Sequence, residues 1–182
     1  MKKILWSFFE VVETVVIAVA AVVLVRMFVM QPFVVSGASM EPTFYDGNYL
    51  LVDEVTYQFR SPERGEVIVF KYPGDHKSFY IKRIIGLPGE KIILKDGKIS
   101  VFSGGGGEIA LNESYLGKGV TNGSFNLELG ENEYFVLGDN RNFSFDSRSW
   151  GSLSQEEIIG VVRLRLWPIS GLDTFAPPNY EN

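Results

Sequence analysis

The chain contains no cysteine and a single histidine, His76. The first absence excludes disulfides, thiolate metal sites and a cysteine nucleophile. The second leaves any Ser-His mechanism resting on His76 alone. That residue follows Tyr72-Pro73-Gly74-Asp75 in a turn-forming run between charged neighbours, and it reads as a surface histidine. No metal and no cofactor are expected from this residue set. Basic residues are neither abundant nor clustered: 17 Lys and Arg stand against 22 Asp and Glu, for a net charge of −5. Such a balance excludes the basic face that nucleic acid requires. Internal repeats are lacking, and an apolar fraction of 46% is too low for a multi-span membrane protein. At 182 residues there is room for one soluble domain plus an anchor.

What is present begins with a long apolar stretch behind Met1-Lys2-Lys3, broken by Glu10, Glu13 and Arg26. Residues 11–30 form about 20 positions, roughly 30 Å as a helix, which matches a bilayer core. Glu13 and Arg26 then lie near opposite interfaces, where Arg26 snorkels outward at modest cost. Ala18-Val19-Ala20 has the small-x-small form of a cleavage site, but the apolar run continues past it and the two glutamates interrupt what would be a signal peptide's core. The expectation is an uncleaved transmembrane anchor. Lys2 and Lys3 favour a cytoplasmic N-terminus. Residues 1–10 are then cytoplasmic, 11–30 span the membrane, and 31–182 lie on the outer face.

Beyond Pro32 the pattern changes to short apolar runs separated by turns. Strands are predicted at Tyr49–Val52, Val67–Lys71, Phe79–Ile85, Ile92–Leu94, Tyr134–Leu137 and Val161–Trp167, with a hairpin at Lys95-Asp96-Gly97. Ser152-Leu153-Ser154-Gln155 has the form of a capping box and predicts one short helix through Ile159, stopped by Gly160. Four consecutive glycines within Ser103 to Gly107 mark residues 95–131 as a variable excursion between better-defined strands. The tail from Asp173 is expected to be loosely ordered. The fold class is therefore mainly β: one N-terminal helix, then an antiparallel sheet domain with one short helix.

With cysteine excluded and His76 unpromising, a serine activated by a lysine is the economical nucleophile for a hydrolase. Ser39 lies in Ser36-Gly37-Ala38-Ser39-Met40-Glu41-Pro42-Thr43, just beyond the anchor. Lys82 lies in Lys82-Arg83-Ile84-Ile85-Gly86-Leu87-Pro88-Gly89-Glu90. A lysine serves as base only when neutral, and burial among apolar neighbours lowers its pKa. Phe79, Ile81, Ile84 and Ile85 flank Lys82, and strand alternation places it on the face of Ile84, with Arg83 opposite. A third polar segment, Gly138-Asp139-Asn140-Arg141-Asn142-Phe143-Ser144-Phe145-Asp146-Ser147-Arg148, follows an apolar strand directly. Taken singly, each has a bland alternative: a structural turn serine, a solvated Lys-Arg pair, and a loop held by Asx bonds.

Together the three segments resemble bacterial type I signal peptidase, the membrane-bound serine protease that removes signal peptides from exported proteins. Ser39-Met40-x-Pro42-Thr43 is similar to its nucleophile box, and Gly65-Glu66-Val67-Ile68-Val69-Phe70 to a characteristic strand. Lys82 through Glu90 is similar to its general-base box, and Gly138 through Arg148 to its last box. The resemblance covers essentially the whole chain. It implies a signal-peptidase-like fold, Ser39 as nucleophile, Lys82 as general base, Ser144 orienting the Lys82 amine, and Asp146 with Arg148 as a supporting ion pair. It implies the Ser39 backbone N–H as one oxyanion donor and leaves the second open in the Gly37/Ser36 region. The implied partners are signal-peptide-bearing preproteins with small residues at −1 and −3, and the lipid bilayer; a monomer is expected. Phe33, Val34, Met40 and Phe44 suit either the lipid interface or core packing. A self-cleaving Ser-Lys protease related to the SOS repressors lacks a span, and an anchored binding domain has no need of both Ser39 and Lys82.

Overall fold

The computed structural model describes residues 2–28, 30–105, 107–111, 113–116 and 121–178. Helix α1 runs from Lys2 to Phe28. Within it the Thr14 hydroxyl donates to Glu10 O at 2.9 Å. Val11, Val15, Val16, Ile17 and Val19 are all exposed along it. The expected span over 11–30 runs beyond the described residues: residue 29 and the side chains from 22 to 30 lie outside them. Among the described residues, no helix is long and apolar enough to cross a membrane.

The strands that follow are β1 (Met30–Val34), β2 (Tyr49–Asp53), β3 (Val67–Lys71), β4 (Phe79–Gly86), β5 (Lys91–Lys95), β6 (Lys98–Phe102), β7 (Glu108–Ala110), β8 (Phe125–Glu128) and β9 (Glu133–Leu137). A one-turn helix α2 (Ser147–Trp150) precedes β10 (Leu153–Ser154), β11 (Ile158–Trp167) and β12 (Asp173–Thr174). Every pairing is antiparallel. The larger sheet has the order β1-β2-β11-β3-β4-β9-β10, with β12 on β11; the smaller has the order β7-β6-β5-β8.

Alternation along β3, β4 and β9 explains the three apolar clusters. Val67 and Val69 join Val35, Met40, Phe44, Leu50, Val52 and Val162 in one. Ile68, Phe70, Ile84, Tyr134 and Val136 form a second on the opposite face. Ile85, Phe135 and Leu137 meet Ile92, Leu94, Ile99 and Val101 of the small sheet in a third. Met40 and Phe44 are fully buried, so of the four residues suited to either lipid or core, these two belong to the core; Val34 is exposed.

Three expectations are corrected. The excursion is not irregular: β6, β7 and β8 give it a sheet with β5 and a share of the third cluster. The hairpin at Asp96-Gly97 joins β5 to β6, with both residues at positive φ (51° and 78°) and Lys95 paired to Lys98. The helix expected through Ile159 is only a 3₁₀ turn, Gln155–Glu157, capped by Ser154. Gly160 stops nothing; it lies inside β11, where a Cβ would stand 2.4 Å from Asp53 O. The tail is docked as well. Phe175 N–H donates to Arg163 O at 3.0 Å, and the Phe175 ring lies 4.4 Å from that of Phe44. Residues 179–182 lie outside the described residues.

Candidate active site

Ser39 opens a tight turn after β1. Glu41 N–H donates to Ala38 O (3.2 Å) and Phe44 N–H to Met40 O (2.9 Å). The buried side chains of Met40 and Phe44 hold this turn on the core beneath it. Lys82 comes from the middle of β4, paired with Ile68 of β3, while Arg83 pairs with Val67 and so faces the other way. The Lys82 Nζ stands 2.7 Å from Ser39 Oγ and donates to Ile81 O at 2.7 Å. It lies 5.7 Å from the centroid of the Tyr80 ring. The side chain is buried, and desolvation pulls its pKa from 10.5 down to about 8, against the opposing pull of Asp146 and Asp139. As an ammonium it donates to Ser39 Oγ; once neutral, its lone pair faces the hydroxyl proton across the same distance.

The third segment closes over this pair from the end of β9. Asn140 N–H donates to Ser39 O (3.0 Å), and Asn140 Nδ2 donates to Ala38 O (3.0 Å). Gly138 allows this approach: a Cβ there would meet Ser39 O at 2.4 Å and Ser144 Oγ at 2.3 Å. Arg83 donates to both carboxylate oxygens of Asp139, at 2.9 and 2.7 Å, and Thr43 Oγ1 donates to Asp139 Oδ2 at 2.5 Å. Arg148 forks onto Asp146 at 2.8 and 2.9 Å, and Asp146 also accepts from Gly138 N–H at 3.1 Å. Arg141 pairs with Glu113 of the excursion and donates to Thr121 Oγ1 at 2.6 Å. The Arg83 guanidinium stacks 4.0 Å from the Tyr115 ring centroid.

A groove of about 470 Å³ leads to Ser39. One wall is the backbone from Phe33 to Ser39 and another is Phe79 to Lys82, with Phe143 and Phe145 at the rim and Leu50 and Val69 beneath. Among the described residues β1 pairs with β2 alone, and β4 meets β9 only from Arg83 onward, so both walls present open strand edges.

At the head of this groove the buried Lys82 amine stands against the Ser39 hydroxyl. The family described as "Signal peptidase, peptidase S26" matches residues 8–167. The chain belongs to that family. It is 39% identical to signal peptidase I V of Bacillus subtilis over 175 residues, covering 89% of this chain and 98% of that protein. With signal peptidase IB of Staphylococcus aureus it is 34% identical over 190 residues, 95% of this chain and 98% of that one. A signal peptidase I structure from Enterococcus faecalis aligns at 29% identity with a TM-score of 0.45, over 56% of this chain and 97% of that chain. This family member is a type I signal peptidase and a serine endopeptidase.

Of the residues named from the motifs, Ser39 meets Lys82 and Asp146 pairs with Arg148, while Ser144 stands differently. Ser144 Oγ is buried and has no hydrogen-bond partner among the described residues. The bond expected from it to Lys82 is not formed; the amine donates to Ser39 Oγ and Ile81 O instead. Ser36 and Gly37 line the groove, but Gly37 N–H is committed to Asp46 Oδ1 at 2.7 Å. His76 sits apart with its Nδ1 2.7 Å from Glu157 Oε1, its side chain 64% exposed. Among the described residues no group of His, Asp and Glu is arranged to hold a metal ion. Asn140, Asp139, Thr43 and Glu113 were not singled out from sequence. The first three lie inside the recognised motifs, where hydrogen-bonding side chains beside the nucleophile are the available signal; Glu113 carries none.

Proposed function

We propose that this family member uses a Ser39–Lys82 dyad to cleave signal peptides after a small residue, with −1 and −3 side chains in the groove, at the outer face of the cytoplasmic membrane. The observation that carries the dyad is the 2.7 Å approach of Nζ to Oγ combined with burial that brings Lys82 to about 8. Neutral Lys82 takes the Ser39 proton as Oγ attacks the scissile carbonyl, and the oxyanion is met by the Ser39 N–H. The ammonium then protonates the leaving amine, giving an ester on Ser39. Lys82 next deprotonates a water that attacks this ester, and the proton returns to Ser39 as the acid product leaves. When Nζ releases Ser39, the unpartnered Ser144 hydroxyl is the group that takes an amine hydrogen and orients it. The extended substrate pairs with the open edges of β1 and β4.

Residues 11–30 serve as the anchor in this proposal, with 1–10 in the cytoplasm and 31–182 outside. The exposed apolar side chains from Val11 to Val19 support it, as does the Lys2-Lys3 pair. The enzyme acts as a monomer on preproteins at the bilayer.

The test is incubation of detergent-solubilised full-length chain with a preprotein, with Ser39→Ala and Lys82→Ala beside it, and sequencing of the new N-terminus. Wild type yields one cut after a small residue, and neither variant yields product. Complete processing by either variant overturns the dyad, and a cut after a large residue overturns the small-residue assignment.

A further inference from the structure

Phe143 and Phe145 flank Ser144 on the loop that closes over the dyad. The chain alternates there: the Ser144 hydroxyl is buried, while the aromatic rings on either side face out, Phe143 77% and Phe145 50% exposed. Both rings line the groove that contains Ser39 and Lys82. Phe145 is braced edge-on against Tyr72, ring centroids 5.7 Å apart, and Tyr72 stacks on Tyr80 at 4.9 Å. Two neighbouring exposed rings at the mouth of a cleft make an apolar patch that an apolar group bound in the groove would cover.

We propose that Phe143 and Phe145 form an apolar subsite that selects hydrophobic side chains of the bound peptide at −2 and +1, the positions facing away from the groove floor. The proposal rests on the assignment of the groove to a signal-peptide substrate. An extended peptide sends successive side chains to opposite faces. With −1 and −3 directed onto the buried floor at Leu50 and Val69, −2 and +1 turn to the rim where the two rings stand. Any peptide whose scissile bond reaches Ser39 lies beside them. A lipid surface is a weaker match, because these rings share the cavity of the nucleophile.

The test uses the full-length enzyme in detergent and synthetic peptides with Ala at −1 and −3, carrying Leu or Ser at −2 and, separately, at +1. Covering one such side chain is worth about tenfold in kcat/KM. Wild type is expected to prefer Leu by about that factor at one or both positions. In Phe143→Ser and Phe145→Ser the Leu/Ser ratio falls toward unity, and Phe143→Leu retains most of it. Thermal unfolding checks that the variants fold, which the exposure of Phe143 favours. A wild-type ratio near one at both positions overturns the subsite. So does an equal loss on Leu and Ser peptides, or a loss seen only in phosphatidylcholine vesicles with the ratio intact, which would assign the rings to lipid. Failure of wild type to cut any of the peptides would instead refute the substrate assignment on which the subsite rests.

Discussion

Replacing Lys82 by methionine keeps the length of the side chain and removes its charge, and the structure dictates an outcome with opposite signs for activity and stability. In the folded chain the Lys82 proton leaves near pH 8, and in the unfolded chain near 10.5. That difference corresponds to a penalty of about 3 kcal/mol for holding the charged amine in its dry site. Below about pH 8 both states carry the proton and the whole penalty is present. Between the two values the unfolded state binds more protons, so wild-type stability rises with pH; above them both states are neutral and the penalty is gone. Lys82→Met escapes it but loses hydrogen bonds to Ser39 and Ile81 O, together worth about 1–2 kcal/mol. The variant should be more stable than wild type at about pH 7 and less stable near pH 10, a relative swing of about 2–3 kcal/mol or roughly 4–12 °C in Tm. Thermal unfolding of both proteins in the same detergent at several pH values measures it. Activity of wild type provides the companion reading. About a tenth of the amine is neutral at pH ~7 and about nine tenths at ~9, so kcat/KM should climb about tenfold and level off. Parallel Tm curves for the two proteins, or a kcat/KM inflection near the ordinary histidine range, would refute the reasoning.

Gly138→Ala is expected to reduce kcat by at least about tenfold, since its Cβ collides with Ser39 O and Ser144 Oγ and must displace one of them; a steady-state assay of the folded variant checks it. Asn140→Ala removes the tie from Nδ2 to Ala38 O while the Asn140 N–H tie to Ser39 O remains, so kcat should fall about three- to tenfold with KM little changed and stability lower by about 1 kcal/mol. A KM effect of the same size would show instead that Asn140 shapes the groove. Glu113→Ala strands the fully buried Arg141 guanidinium and should cost about 3–5 kcal/mol in a denaturant titration. The double change Glu113→Leu with Arg141→Leu should recover much of that loss, and failure to do so would mean that the remaining Arg141 bonds to Gly138 O and Thr121 carry the stabilisation.

Elimination pointed toward a serine–lysine pair, with no cysteine and with His76 in a solvent-facing turn. Ser39 and Lys82 were each bland when taken singly, and it was the resemblance of their segments to the signal peptidase boxes that singled them out. Their 43-residue separation closes to 2.7 Å in space although β1 and β4 are not neighbours in the sheet, an approach that strand alternation alone does not predict. The Asp96-Gly97 hairpin was legible from a turn chemistry that allows few alternatives. What failed was judged locally but decided at a distance. The four glycines concealed a sheet whose strands depend on Ile85, Phe135 and Leu137 from elsewhere. Gly160 looked like a helix stop, yet its role is set by Asp53 on the adjacent strand. The tail looked loose because nothing nearby in sequence shows that Phe44 offers Phe175 a ring to pack against. Glu113 was invisible because an Arg–Glu pair spanning 28 residues leaves no periodic trace.

Two ion pairs stand beside the dyad and bear on its electrostatics. Asp139 and Asp146 both raise the Lys82 pKa, which works against a neutral base at moderate pH. Arg83 forks onto Asp139 and Arg148 onto Asp146, each within 3 Å, which holds both carboxylates in place while they still pull the Lys82 pKa upward. Desolvation is the largest influence, and the amine settles near 8. The same four residues supply the rigidity that Asn140 and Gly138 transmit to the nucleophile turn. Lysine could replace either arginine as a charge but not as a fork. Arg148→Lys should therefore loosen Asp146 toward Nζ, raise the Lys82 pKa and move the kcat/KM profile to higher pH, whereas a purely structural role for the pair would lower activity at every pH without moving the inflection.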